Sequence, residues 1–403
     1  MSKLKTVGLL ILFIFLAMGC GGEAVKTIKK TLPVQQPTSR VISRPSFLLE
    51  LVPSGSLPPL TDDLDVASLS LAIERGLQYF SRLNDRDVYY LGARQCTVGE
   101  MEETLKAFRD ILRGDESDAA KQQKIRETFD FYKSVGDDKM GRVIFTGYYE
   151  PVLNGSMEKT TKYRYPLYST PAETVALNSG KLVGRMHKGE VLPHYKRAEI
   201  DGDKSLAGRN LEIVWLDDLI DVFFLQIQGS GKVRLPDGKL LQIGYAQSNG
   251  YPYRSIANYM LEEGMLSKNK ISLQSIKRYL REHPHEVERI FNYNERYVFF
   301  RLLDNGPIGS LGIPVTGGRT IASDPEVFPK GGLAFIRARK PLLDKREMVK
   351  SITFSRFVLN QDTGAAINGA GRIDIFCGTG TEAEDIAGRL REGGELFFLL
   401  KKR

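Results

Sequence analysis

The chain has 403 residues, 57 Lys and Arg against 49 Asp and Glu, a net charge of +8 and three cysteines. The moderate positive charge suits an anionic polymer. No Lys/Arg block or basic-aromatic interleaving marks a nucleic-acid binder, and nothing after the N-terminus is apolar for long enough to span a membrane.

In chain order, Lys3 and Lys5 precede an almost unbroken apolar run over 7–18. The run is shorter than the roughly 20 apolar residues a bilayer span takes, and it reads as the core of a secretion signal. It closes on Leu16-Ala17-Met18-Gly19-Cys20, which resembles the bacterial lipoprotein cleavage box, in which the cysteine becomes the lipid-bearing first residue. Residues 1–19 are thus predicted to be a lipoprotein signal peptide, with lipid attached at Cys20. The alternative is an ordinary signal peptide that ends near a cysteine. Several acyl chains would hold the protein firmly, since one alone binds only marginally. Residues 20–60 mix Pro33, Pro37, Pro45, Pro53, Pro58 and Pro59 with Ser, Thr and Gln, a composition predicted to form a flexible tether. Roughly 340 residues then remain, enough for two domains or one with a large insertion.

Residues 64–135 are expected to be helical. Leu69, Ile73, Leu77 and Phe80 share one face, and Met101, Leu105, Phe108 and Leu112 repeat the spacing. Thr97 and Glu100 are spaced as a capping box, and Gly114 ends the second stripe. From about 142 the pattern changes to short strands, the clearest at 143–149, 211–215, 223–228 and 240–245. Pro236-Asp237-Gly238 predicts a hairpin. A helical stretch over 254–290 is interrupted by Pro284. Strands return at 297–302, 333–336, 348–359, 372–377 and 396–401, and their spacing suits a small closed barrel.

Histidine is scarce. In His283-Pro284-His285-Glu286 the proline spoils same-face geometry and no second cluster completes a ligand set, so no metal or other cofactor is expected. No Ser sits in a nucleophile elbow. Gly229-Ser230-Gly231-Lys232 lacks the spacing of a phosphate loop, and Gly378-Thr379-Gly380 lacks the third glycine of a dinucleotide fingerprint. Cys96 and Cys377 are not expected to pair. Carboxylates remain. Asp374 lies among Ile373, Ile375 and Phe376, where burial would raise its pKa as a general acid requires. The alternative is a strand residue bonded to a turn. Asp362-Thr363-Gly364 also matches the aspartic-protease triplet, but that chemistry needs two such aspartates and only one triplet occurs.

Several segments, in order, then resemble one family. They are Phe145-Thr146-Gly147-Tyr148-Tyr149-Glu150-Pro151, Arg197-Ala198-Glu199-Ile200 and 223–231, then Asn249-Gly250 with Tyr253-Arg254-Ser255-Ile256. After them come Tyr297-Val298-Phe299-Phe300, Gly318-Arg319-Thr320-Ile321-Ala322-Ser323-Asp324 and the block 362–380. Together they resemble the membrane-bound lytic murein transglycosylase A family over about 140–400. The resemblance implies a mainly β fold with helices (α+β), a double-psi β-barrel with a second β-rich domain inserted into it. The boundaries expected are 61–150 for N-terminal helices and the first part of the barrel, 151–303 for the insert and 304–403 for the rest.

It further implies a glycan lying between the domains and an outer-membrane lipoprotein that faces the periplasm of a Gram-negative bacterium. The partners would be peptidoglycan glycan strands, the membrane through the lipid, and cell-wall enzyme complexes. Asp374 matches the family's single catalytic acid, with Asp362 and Asp324 supporting. Thr146, Gly147, Tyr148 and Tyr149 match the motif entering the groove, and Gln228, Gly229 and Ser230 one on the insert. Asn249 and Tyr253 join them as expected substrate-binding residues, with the tyrosines stacking on sugars. Two rival readings stay open: a murein hydrolase using Asp374 and Asp362 as a pair, and a non-catalytic wall-binding lipoprotein.

Overall fold

A computed structural model describes residues 39–42, 47–176, 182–267, 271–344 and 347–403. The signal segment and Cys20 lie outside the described residues. The first elements are β1 (Leu49–Val52), α1 (Val66–Phe80), the hairpin β2 (Val88–Leu91) and β3 (Arg94–Thr97), α2 (Val98–Arg113), α3 (Asp118–Thr128), β4 (Phe129–Ser134) and β5 (Val143–Glu150). Both apolar stripes form helices as expected: α1 buries Leu69, Ile73 and Phe80, and α2 buries Met101, Leu105 and Phe108. The capping box forms, with Thr97 Oγ1 accepting the Glu100 N–H at 3.1 Å and the Glu100 carboxylate accepting the Thr97 N–H at 2.9 Å.

Two expectations for this region change. It is not wholly helical, because the β-prone run Val88-Tyr89-Tyr90-Leu91 pairs with 94–97 around Gly92, which holds a left-handed φ of 61°. The tether does not reach residue 60. β1 pairs with β4, and Leu49, Leu57 and Leu60 are buried in the core, an apolar spacing that the surrounding prolines disguise. The fully buried Arg319 clamps this segment to the barrel. Its Nη1 donates to Asp62 at 2.6 Å, Nε to Ser68 Oγ at 3.0 Å and Nη2 to the Asp65 carbonyl at 2.9 Å.

After β5 come β6 (Val152–Ser156), β7 (Tyr165–Tyr168), β8 (Thr174–Ala176), β9 (Leu182–His187), β10 (Glu190–Leu192), β11 (Glu212–Leu216), α4 (Leu219–Gln228), β12 (Ser230–Arg234) and β13 (Leu240–Ser248). They are followed by α5 (Ile256–Glu262), α6 (Leu273–Glu282), α7 (Val287–Tyr293) and β14 (Val298–Leu303). Six of the strands make one sheet, ordered β14-β13-β12-β6-β11-β7, with its own apolar core. The predicted hairpin joins β12 to β13, and Gly238 turns it at φ 87°.

The predicted strand at 223–228 is a helix, α4. Period alone cannot separate a short apolar run of either kind. The ends decide here: Asp218 accepts the Ile220 N–H at its N-terminus, and Gly229 takes the left-handed conformation at its C-terminus.

The chain closes with β15 (Thr320–Ala322), β16 (Leu333–Asp344), β17 (Glu347–Asp362), β18 (Arg372–Thr379), α8 (Thr381–Ala387) and β19 (Arg391–Lys401). β5, β19, β16, β17, β15 and β18 form a closed six-stranded barrel, in that order, because β19 pairs with β5 as well as with β16. Closure leaves no edge within the ring. The strand at 297–302, counted with the barrel by its spacing, belongs to the second sheet instead, paired with β13. α1 and α2 pack on the barrel and share its core. The second sheet is tied back through the fully buried Glu150, whose carboxylate accepts the Thr379 hydroxyl at 2.6 Å and the Gln242 amide.

Candidate active site

One row across the barrel sheet carries the acidic residues. Asp374 on β18 lies opposite Thr146 on β5, and on its other side opposite Ala322 on β15. Ala322 in turn lies opposite Asp362 on β17. Opposed residues share a sheet face, so these four side chains stand in line. A register shift between Ile321 and Ala322 produces the row: it skips the buried Gln361 and turns Asp362 onto this face. With strands about 4.8 Å apart, the two aspartate Cα atoms are roughly 10 Å apart, with only the methyl of Ala322 between.

The two-residue strand period adds Arg372 and Phe376 beside Asp374, and Tyr148 beyond Thr146. The Tyr148 and Phe376 rings meet at 5.1 Å. Ile373 and Ile375 face the other way, into the barrel core. The apolar wall beside Asp374 is therefore Phe376 and Tyr148, not the two isoleucines adjacent in sequence.

Thr146 Oγ1 donates to Asp374 Oδ1. Burial pushes the Asp374 carboxyl above the usual carboxylate range, while the Thr146 hydroxyl and then the Arg372 charge pull it back. Asp362 is also raised by burial, against the Tyr148 hydroxyl at 2.8 Å and the Ser310 and Thr363 N–H groups at 2.9 and 2.8 Å, and the Asp374 charge adds to the rise. Asp324 does different work. Its carboxylate accepts the Glu326 N–H at 2.9 Å and the Gly369 N–H at 2.8 Å, joining the turn after β15 to the turn before β18.

Not every expected residue faces this row. Gly147 and Tyr149 point to the opposite side of β5. A Cβ on Gly147 would lie 2.8 Å from Ala387 Cα and 3.0 Å from Cys377 Sγ, so the glycine admits α8. Tyr149, 1% exposed, packs against Ala383 and Ala387 and has no face for a sugar. Asn249 is also a structural residue. Its amide donates to the Tyr195 and Glu295 carbonyls at 2.9 and 2.8 Å, and its oxygen accepts the Tyr297 N–H at 2.8 Å, so both of its amide protons are already taken.

Gln228 Oε1 accepts the Tyr149 N–H at 3.1 Å, bridging α4 to β5. Gly229 caps α4 and Ser230 opens β12, partly exposed. Tyr253 does approach the row from the second sheet's side. Burial raises its hydroxyl, which feels Arg372 and Asp374 in opposite directions.

Arg372 is the residue that sequence reasoning passed over. Its spacing two before Asp374 on a strand was the available signal. Cys96 and Cys377 are both free. Among the described residues no cluster of three or more His, Cys, Asp or Glu could hold a metal ion. Cavities of about 460 and 840 Å³ open elsewhere, the first beside Lys133 and Arg339, the second beside Asn154 and Asp218.

A family model described as the MltA specific insert domain matches residues 144–301, and one described as the 3D domain matches 319–400. Membrane-bound lytic murein transglycosylase A of Escherichia coli is 30% identical over 273 residues, 67% of this chain and 69% of that one. The protein of the same name from Vibrio cholerae is 31% identical over 267 residues, 66% of this chain and 67% of that one. Among solved structures, a membrane-bound lytic murein transglycosylase from Agrobacterium tumefaciens superposes with a TM-score of 0.73 at 29% identity, covering 88% of this chain and 98% of that one. The E. coli protein with bound chitohexaose gives 0.69 at 25% identity, covering 92% and 98%.

Proposed function

This chain belongs to the membrane-bound lytic murein transglycosylase A family, and we propose that it cleaves murein glycan between N-acetylmuramic acid and N-acetylglucosamine with Asp374 as the acid. The relatives' shared name and the chitohexaose held by the E. coli protein support the substrate class. One observation carries the assignment of the acid. Burial raises the Asp374 carboxyl above the usual carboxylate range, yet the residue as a whole is only half-buried, and its charge is felt by Tyr253.

The chemistry follows. The Asp374 proton passes to the glycosidic oxygen as that bond breaks, and positive charge grows at C1 of the muramyl sugar. The C6 hydroxyl of the same sugar attacks C1 and closes a 1,6-anhydro ring. Its proton goes to the Asp374 carboxylate, which restores the acid. An intramolecular nucleophile removes the need for an activated water and contributes up to about 7–11 kcal/mol when correctly held. One carboxyl group thus serves both half-reactions. Asp362, held by three hydrogen bonds, shapes the site rather than activating water.

The relatives are named membrane-bound, and no described helix is long and apolar enough to cross a membrane. Acylation of Cys20 would anchor this protein to the outer membrane, facing the periplasm.

The test is product analysis on purified murein sacculi. Wild-type protein should release muropeptides one water lighter than hydrolytic products, and Asp374→Asn should release none while keeping its circular dichroism spectrum. Reducing-end products, or full activity in the variant, would overturn the reading.

A further inference from the structure

Arg372 stands two residues before Asp374 on β18, so the two side chains project from the same face. Nη1 of Arg372 donates to the Ala366 carbonyl at 3.2 Å, which fastens the guanidinium to the loop between β17 and β18. Its Nε, although buried, finds no hydrogen-bond partner among the described residues. A buried charged donor left unbonded is costly and calls for an explanation, of which a partner that arrives during function is one. Among the described residues Arg372 and Asp374 form no ion pair at rest, although the Arg372 charge acts on the Asp374 carboxyl.

The proposed reaction, on which this inference rests, makes Asp374 alternate between neutral acid and carboxylate. Burial, Phe376 and Tyr148 favour the neutral form. The nearby ionisable groups Asp362, Tyr148, Cys377 and Tyr253 are acids, and ionisation of any of them would oppose a second negative charge. Arg391 on β19 also lies opposite Thr146 in this row, but the cation whose charge acts on Asp374 is Arg372. We propose that Arg372 is a positioning residue for the second half of the reaction, its free Nε–H turning to the Asp374 carboxylate once the proton has gone to the sugar oxygen. The carboxylate then waits, held by the Thr146 hydroxyl and Arg372, until the C6 hydroxyl returns a proton and the pair separates. The reverse cycle of attachment and release explains why the resting structure keeps the two apart.

The experiment compares Arg372→Gln and Arg372→Lys, both checked by circular dichroism, for initial rates on sacculi across pH. Removing the charge disfavours the carboxylate. Arg372→Gln should therefore lower kcat about tenfold or more with KM changed less than about twofold, and should move the alkaline limb of the profile up by about one pH unit. Arg372→Lys keeps the charge and should leave the limb in place while recovering part of the rate. A purely structural arginine would lower rate and stability without moving the limb, and an unmoved limb in Arg372→Gln overturns the proposal. Should that variant fail to fold, a limb displaced by Arg372→Lys overturns it equally. An inactive Asp374→Asn beside an unmoved Arg372→Gln profile sinks only this inference, whereas an active Asp374→Asn sinks the proposed function itself.

Discussion

The barrel side and the second-sheet side of this protein use the same kind of polar motif residue for opposite ends. On the barrel, Thr146, Tyr148, Asp362 and Asp374 meet on one sheet face, where burial raises both carboxyls and the hydroxyls of Thr146 and Tyr148 act against that rise. On the second-sheet side, Asn249 gives both amide protons and its oxygen to backbone groups, and Gln228 accepts a backbone N–H. A polar residue whose partners are all backbone holds shape. One whose partner is another titratable side chain is left with chemistry to do. Motif membership does not separate the two, and hydrogen-bond partners do.

The contrast can be broken by substitution. Asp374→Asn carries the largest expected effect, a loss of about 10²-fold to 10⁴-fold in lytic rate, the usual contribution of a general acid. The same variant should be more stable near neutral pH. The folded carboxyl is raised above its unfolded value of 3.8, so ionisation penalises the folded state progressively as pH climbs past that value. The gain in Tm over wild type should shrink to nothing in acid, and a variant less stable at pH 7 would contradict the burial argument.

Asn249→Ala should behave in the opposite sense. Loss of three buried hydrogen bonds is expected to cost about 2–4 kcal/mol in urea unfolding, with kcat of the folded fraction within about twofold of wild type. A variant that is stable but inactive would return Asn249 to the substrate. Gly147→Ala forces a methyl against α8 and should cost about 1–3 kcal/mol, read in the same unfolding assay. The smallest effect belongs to Gln228→Ala, about 1 kcal/mol for one amide bond across the junction. A large rise in KM there would mark Gln228 as a substrate contact.

Much was legible from local pattern. The capping box at Thr97 and Glu100, the amphipathic stripes of α1 and α2 and the Pro236-Asp237-Gly238 turn all depend on residues within a few positions of each other, and each formed as read. Ordered motifs also pointed to the family. Local pattern misled where the signal was short or masked. The apolar 223–228 segment is helical because of its two caps, and β1 hides among prolines.

What no local pattern contains is which strands become neighbours. Asp374 and Thr146 are 228 residues apart in sequence, and the row they share with Ala322 and Asp362 exists only because six strands close into a ring and one register slips by a residue. The same alternation that turned Ile373 and Ile375 into the core turned Asp374 and Arg372 out of it. The residue types and their periods were present in the sequence alone. Which groups share a face, which amides are already spent and which carboxyl is pushed toward neutrality depend on contacts across the whole chain, because burial and hydrogen bonding are properties of the neighbours in space.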